Sequence, residues 1–257
     1  MDYTPCARTH RRGIICPVRT SRTRERLRRE ISRRPRLSVA LELALGLALS
    51  LGLLWGFVEL SEEVAEGESR RADEAVLRWI STNSPDWLDV PMRLVTALGY
   101  YWFVIPALVF AAYLFYRSGR TLSAALLVVS TGGSIVITTL LKSVFRRARP
   151  EIIDSGYEAS FYSFPSGHAT VAVGFYGALA LLLALRLGAP WRWIIAAAGA
   201  LLVLLIGFSR LYLGVHYPTD VLAGYLSASL WLVSVWLAYR IWRLAYPPGA
   251  KPRKPPA

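Results

Sequence analysis

Residues 121–141, TLSAALLVVSTGGSIVITTLL, run for 21 positions without a charge and are closed at once by Lys142. A helix needs roughly 20 apolar residues to cross the hydrocarbon core of a bilayer, so this stretch reads as a transmembrane helix. Working outward, comparable stretches lie at 38–60, 95–116, 169–185, 191–208 and 221–238. Those at 169–185 and 191–208 are short but have flanks into which they can extend. The expected fold is therefore all-α, an integral membrane bundle of six transmembrane helices.

Composition agrees. Apolar residues make up 54% of the 257 and charged ones 18%, with a mean hydropathy of +0.38. That leaves too little polar surface to cover a water-soluble globule. Two cysteines, Cys6 and Cys16, exclude a disulfide-stapled secreted domain.

The net charge of +13 suggests nucleic acid until its placement is considered. Twelve Arg lie within 1–37 and five Lys or Arg within 240–257, whereas eight of the 17 acidic residues fall between Glu62 and Asp89. Charge sorted in this way suits a membrane topology, and no alternation of aromatic and basic residues marks a nucleic-acid surface. No nucleic-acid partner is expected. With the N-terminus inside, both basic tails and the turns at 117–120 and 186–192 are cytoplasmic, as short basic loops favour. The acidic 62–89 stretch, the loop at 143–168 and the link at 209–220 then face outward. The expected location is the inner cell membrane, multi-pass, with three parts: a basic, disordered tail over 1–37, a membrane domain over 38–240 and a basic Pro-rich tail over 241–257. The first apolar run starts too late, and behind too long a basic region, for a signal peptide. A short interfacial helix around 73–80 is one reading of the acidic stretch, an ordinary outer loop the other. Four cations, Lys142, Arg146, Arg147 and Arg149, break the charge rule by standing outside, which points to a bound anion.

Three segments at that outer edge carry chemistry. Lys142 and Arg149 are two helical turns apart and share a face as far as helix persists, bringing a point charge and a planar fork of donors to phosphate oxygens. Phe164-Pro165-Ser166-Gly167-His168 opens a helix whose exposed N–H groups make an anion site, with Pro165 and Ser166 suited to a helix start. The segment from Ser209 and Arg210 to His216 and Asp220 supplies a carboxylate four residues past an imidazole, able to accept the Nδ1 proton and leave Nε2 as a nucleophile. Asp220 is the only acidic residue after Glu158, and a carboxylate beside hydrocarbon is expensive unless it is used.

These segments resemble, in order and without departure, the three signature motifs of the type 2 phosphatidic acid phosphatase family, related to vanadium haloperoxidases: Lys-x6-Arg-Pro, Pro-Ser-Gly-His and Ser-Arg-x5-His-x3-Asp. The resemblance covers roughly 95–240, including Leu98-Gly99. It implies that Lys142, Arg149 and Arg210 bind phosphate with the Ser166 hydroxyl and the Gly167 amide. It further implies that His216 is the nucleophile forming a phosphohistidine, Asp220 its orienter and His168 the acid that protonates the leaving oxygen. The substrate class is a lipid phosphomonoester or pyrophosphate, met at the outer membrane edge; which lipid is left open, as is oligomeric state. No cofactor and no metal is expected, Glu151, Asp154 and Glu158 reading as a solvated loop. Two alternatives stand beside hydrolysis: a lipid phosphotransferase on the same scaffold, and a lipid or anion transporter using the cationic cluster.

Overall fold

The computed structural model describes residues 35–153, 156–157 and 161–246, with side chains from residue 38. The expectations attached to Cys6, Cys16, Asp154, Glu158, the Arg-rich segment before residue 35 and the tail beyond 246 lie outside the described residues. Regular structure among the described residues is wholly helical. The chain divides into two compact units, one ending at Ala44 and one beginning at Leu45. The first contributes the opening turns of α1 (Pro35–Glu66), and the second carries the remainder of α1 and every later helix.

After α1 come α2 (Arg70–Asn83), a single 3₁₀ turn, α3 (Asp89–Ala97), α4 (Tyr101–Arg117) and α5 (Thr121–Phe145). They are followed by α6 (Gly167–Ala184), α7 (Trp191–Tyr212) and α8 (Pro218–Ala245). Five of these, α1, α5, α6, α7 and α8, are each long and apolar enough to cross a membrane, and α3 with α4, bent by 51°, brings the number to six if the pair is one broken span. Large apolar side chains such as Leu47, Phe110, Leu140 and Leu204 stand more than half exposed. In water that surface would be a liability; against lipid tails it is the expected exterior.

The bend corrects the expectation of one straight helix over 95–116. Helical backbone stops at Leu98 and resumes only after Tyr100, which is extended at φ −77° and ψ 145°. Hydropathy is blind to a change of direction, and here the change is made where Gly99 packs flush against the neighbouring elements. Of the two readings of the acidic stretch, a helix is present, longer than 73–80, as α2. It turns Leu77 and Ile80 inward, both buried, and leaves Trp79 exposed.

α6 is the central element. Ala169, Thr170, Val171 and Ala172 are fully buried, and Val104, Phe115, Leu127, Phe175 and Ala178 pack with Val171 in one cluster. α5 presents to it a row of small polar residues, Ser130, Thr131, Ser134 and Thr138, all buried. Small residues let helices approach closely where no hydrophobic drive operates: a Cβ on Gly174 would come within 2.3 Å of Ser134 Oγ. Thr131 Oγ1 donates to Leu127 O at 2.9 Å and lies 3.2 Å from Gly174 O, tying α5 to α6. Midway, at Val173–Gly177, α6 widens into a π-helical turn.

Candidate active site

Helix ends build the site. α5 stops at Phe145 because Arg146 turns left-handed, at φ 47°. Arg149 is therefore not on the helical face of Lys142, as expected for a longer helix, but reaches the same region through the loop. Lys142 Nζ donates to the carbonyl of Tyr162 and, at 3.3 Å, to that of Ser163. Arg149 donates to Phe161 O at 2.9 Å and to Val215 O at 2.7 Å. Burial first, and the charge of Arg210 second, lower the Arg149 pKa to about 10, leaving the guanidinium charged at neutral pH.

His216 sits in the link between α7 and α8, 2% exposed. Its Nε2 lies 3.2 Å from Arg149 Nη1 and its Nδ1 lies 3.3 Å from Asp220 Oδ2. A guanidinium only donates, so Nε2 must accept, the ring proton must sit on Nδ1, and Nδ1–H donates to the carboxylate. This is the tautomer in which Nε2 carries the nucleophilic lone pair. Burial, then the charges of Arg210 and Arg149, hold the His216 pKa well below the ordinary imidazole value, so the ring is neutral at neutral pH. Asp220 is fully buried, and besides the imidazole two donors hold its carboxylate, Tyr217 N at 2.9 Å and Arg147 Nη1 at 2.7 Å.

The Pro165–His168 segment joins this pair through its backbone. Ser166 N donates to Asp220 O at 2.9 Å, and a Cβ on Gly224 would stand 2.9 Å from Ser166 O, so α8 lies directly against the turn. Ser166 occupies the N-cap position of α6, but its hydroxyl does not cap the helix as a plain cap would. Among the described residues, the buried polar atoms Ser166 Oγ, His168 Nε2, Arg210 Nε and Thr138 Oγ1 have no hydrogen-bond partner. Such groups are rare and call for a ligand or an ion. Gly167 is the hub: a Cβ there would lie 3.9 Å from Lys142 Cε, 3.9 Å from Thr138 Oγ1 and 3.4 Å from the Tyr101 hydroxyl. The His168 ring meets the Tyr100 ring edge-on, with centroids 4.7 Å apart. Arg210, at the end of α7 and 2% exposed, donates to Thr96 Oγ1 at 2.7 Å and to the Tyr157 hydroxyl at 3.2 Å.

All eight residues expected at the site thus belong to linked surroundings at one end of the bundle. Sequence reasoning passes over Thr138, one helical turn before Lys142, which only its position on the buried face of α5 reveals. It also takes Arg147 as one more outward cation and Asp73 as part of an acidic stretch, whereas the two form an ion pair at 2.8 Å. Arg146 by contrast is exposed, as is Glu151. Among the described residues, no group of three His, Cys, Asp or Glu is placed to hold a metal ion.

Comparisons with known proteins point the same way. The family model described as PAP2 superfamily matches residues 123–243. Phosphatidylglycerophosphatase B of Bacillus subtilis (strain 168) is 32% identical over 173 residues, which cover 66% of this chain and 84% of that protein. An undecaprenyl-diphosphatase of Sulfolobus acidocaldarius is 32% identical over 145 residues, 54% of this chain and 61% of its own length. The crystal structure of a transmembrane PAP2 type phosphatidylglycerolphosphate phosphatase from Bacillus subtilis superposes with a TM-score of 0.70 at 26% identity, covering 78% of this chain and 98% of that one.

Proposed function

Since the chain belongs to the PAP2 superfamily of membrane lipid phosphatases, we propose that it hydrolyses a lipid phosphomonoester or pyrophosphate through a phosphohistidine on His216. Phosphatidic acid, phosphatidylglycerol phosphate and undecaprenyl pyrophosphate are the candidate substrates, the last two because relatives named for such lipids match this chain. The observation that carries the reading is the state of His216: a neutral ring, its proton directed at Asp220 and its Nε2 lone pair directed at a cation.

In this reading Arg149 has two duties. Before substrate arrives it occupies the Nε2 lone pair, and an incoming phosphate draws its donors away and frees that lone pair for attack. Nε2 forms a bond to phosphorus as the bond to the leaving oxygen breaks, and His168 supplies the proton that oxygen takes up. Lys142, Arg149 and Arg210, with Ser166 Oγ and the Gly167 amide, surround the equatorial oxygens, which is the larger part of what phosphoryl transfer requires. Asp220 holds the ring and its negative charge supports the imidazolium created by phosphorylation. Water then attacks the phosphohistidine and gives up a proton to His168 as the N–P bond breaks, releasing phosphate and restoring both rings. The Thr138 hydroxyl, buried beside Gly167 and without a hydrogen-bond partner among the described residues, is a further donor to the phosphate.

The same reading has the active site facing outward, both termini cytoplasmic, and a membrane domain over 38–240 flanked by basic tails. A substrate anchored in the outer leaflet then presents its headgroup at the depth of the site. Phosphate release by the purified protein across the three lipid classes tests the function, with acid-labile phosphate on the protein assayed after a rapid quench. Release from at least one lipid, with phosphate trapped on the wild type and absent from His216→Ala, is expected. Inactivity on all three lipids, or turnover by His216→Ala, would overturn it.

A further inference from the structure

Behind His216, at the nitrogen away from Arg149, runs a chain of largely buried charge of which the proposed chemistry uses only Asp220. Arg147, from the loop after α5, extends one arm of its guanidinium to Asp220 Oδ1 at 2.7 Å and the other to Asp73 Oδ2 at 2.8 Å. Side-chain exposure along this chain is 2% for Asp73, 13% for Arg147 and 0% for Asp220. Asp73 sits on α2, 147 residues before Asp220 in the chain. Its carboxylate also accepts from Thr219 N at 3.1 Å and from the Thr219 hydroxyl at 2.6 Å. Arg147 Nη1 donates to the same hydroxyl at 2.7 Å, and the Tyr217 ring lies 4.1 Å under the guanidinium. Residues 217, 219 and 220, which come just after the candidate nucleophile, are thus all gripped by this one assembly.

We infer that Arg147 and Asp73 are positioning residues for His216, holding the Asp220 carboxylate at the angle that keeps the imidazole proton on Nδ1. The inference rests on the phosphohistidine reading. A carboxylate has two oxygens, and the one that orients the ring is Oδ2. The other, Oδ1, is fixed by Arg147, so the plane of the carboxylate cannot rotate without breaking a charged bond. Only a forked cation spans both acids; the single ammonium of lysine reaches one of them. Charge is the second contribution. Two carboxylates and one guanidinium leave a net negative charge behind a ring that becomes cationic when phosphorylated, so Asp73 adds to the stabilisation that Asp220 begins. Arg147 meets Asp220 on the Nδ1 side of the ring, whereas Arg149, one of the cradle's cations, meets the ring at Nε2.

The experiment compares Arg147→Gln, Arg147→Lys and Asp73→Asn with the wild type, using phosphatidic acid in mixed micelles as substrate and inorganic phosphate as competitive inhibitor. Expected is a loss of kcat of about 10–100-fold in all three, the range seen when a group that orients a reacting ligand is removed, with KM and the phosphate inhibition constant unchanged. Asp73→Asn preserves the shape of the side chain and keeps the test decisive should an Arg147 variant fail to fold. Wild-type kcat in folded variants, with only a lowered melting temperature, would reduce the assembly to a structural brace. A rise in KM and in the phosphate constant at constant kcat would place Arg147 in the cradle instead. His216→Ala, run in parallel, separates the two readings: turnover by that variant defeats the phosphohistidine itself, whereas an inactive His216→Ala beside a fully active Arg147→Gln defeats only the positioning role.

Discussion

Gly99 lies flush against the ring of His168: a Cβ on Gly99 would come within 2.6 Å of His168 Cδ2 and 2.9 Å of Ile206 Cγ2. The break between α3 and α4 therefore sets one wall of the imidazole, with the Tyr100 ring edge as the next. Ile206 is fully buried and has no room to yield, so the half-buried His168 ring must give way. Gly99→Ala should turn the His168 ring and slow hydrolysis of an alkyl phosphate by at least tenfold, because general acid catalysis is worth about 10²–10⁴-fold and depends on aim. Parallel assays on alkyl and nitrophenyl phosphates check this. Equal losses on both would mean the methyl group disturbs more than the acid.

The two histidines are expected to part company on the same pair of substrates. On the proposed phosphohistidine mechanism, His216→Ala should abolish turnover on both, since no covalent intermediate would form without it. His168→Ala loses about 10²–10⁴-fold on the alkyl ester but retains much of its rate on the nitrophenyl ester, whose phenolate departs without a proton. Asp220→Asn falls between, keeping shape while weakening both tautomer and charge. Equal loss on both esters in His168→Ala, with phosphate still trapped by His216→Ala, would require the roles to be exchanged.

The pH profile follows from the neutral state of His216. Its pKa is held below the ordinary imidazole value by burial and by Arg210 and Arg149. Attack needs the unprotonated ring, so activity persists as pH falls through the ordinary value and disappears only when the depressed pKa is reached. The value of kcat/KM on nitrophenyl phosphate, where the acid is dispensable, should show its acid limb below pH ~6.5, the unperturbed imidazole value. A limb at or above that value would show that Asp220 outweighs the cations.

Sidedness is open to chemical labelling. Glu151 is exposed in the loop between α5 and α6. In a variant lacking Cys6 and Cys16, a cysteine introduced by Glu151→Cys should react in intact cells with a membrane-impermeant maleimide. Reaction only after lysis would turn the site to the cytoplasm.

The parts legible in the sequence are those written in contiguous segments. The charge-free run at 121–141 and its counterparts announce spans because hydrophobic length is a local property, and His216 with Asp220 announces a pair because a spacing of four on a helix start is local too. What escapes is set by contacts across the fold. Arg147 and Asp73 are 74 residues apart and read as surplus charge until α2 is seen to lie on the start of α8. The direction of α4 escapes for a similar reason: the window 95–116 is uniformly apolar, and only the packing around Gly99 records the bend.

The π-helical turn at Val173–Gly177 divides α6 into two addresses on one rod. A turn of this kind holds one residue more than the α-helix around it, and one residue corresponds to about 100° of rotation. The end that carries Gly167 and His168 is therefore indexed against the lower half, Ala178–Ala184, by that single surplus residue. Removing any one residue from the turn would leave a helix of nearly the same length and hydrophobicity, with the end that carries Gly167 and His168 pointing at a different neighbour. Insertion and chemistry are in this way specified separately along the same helix.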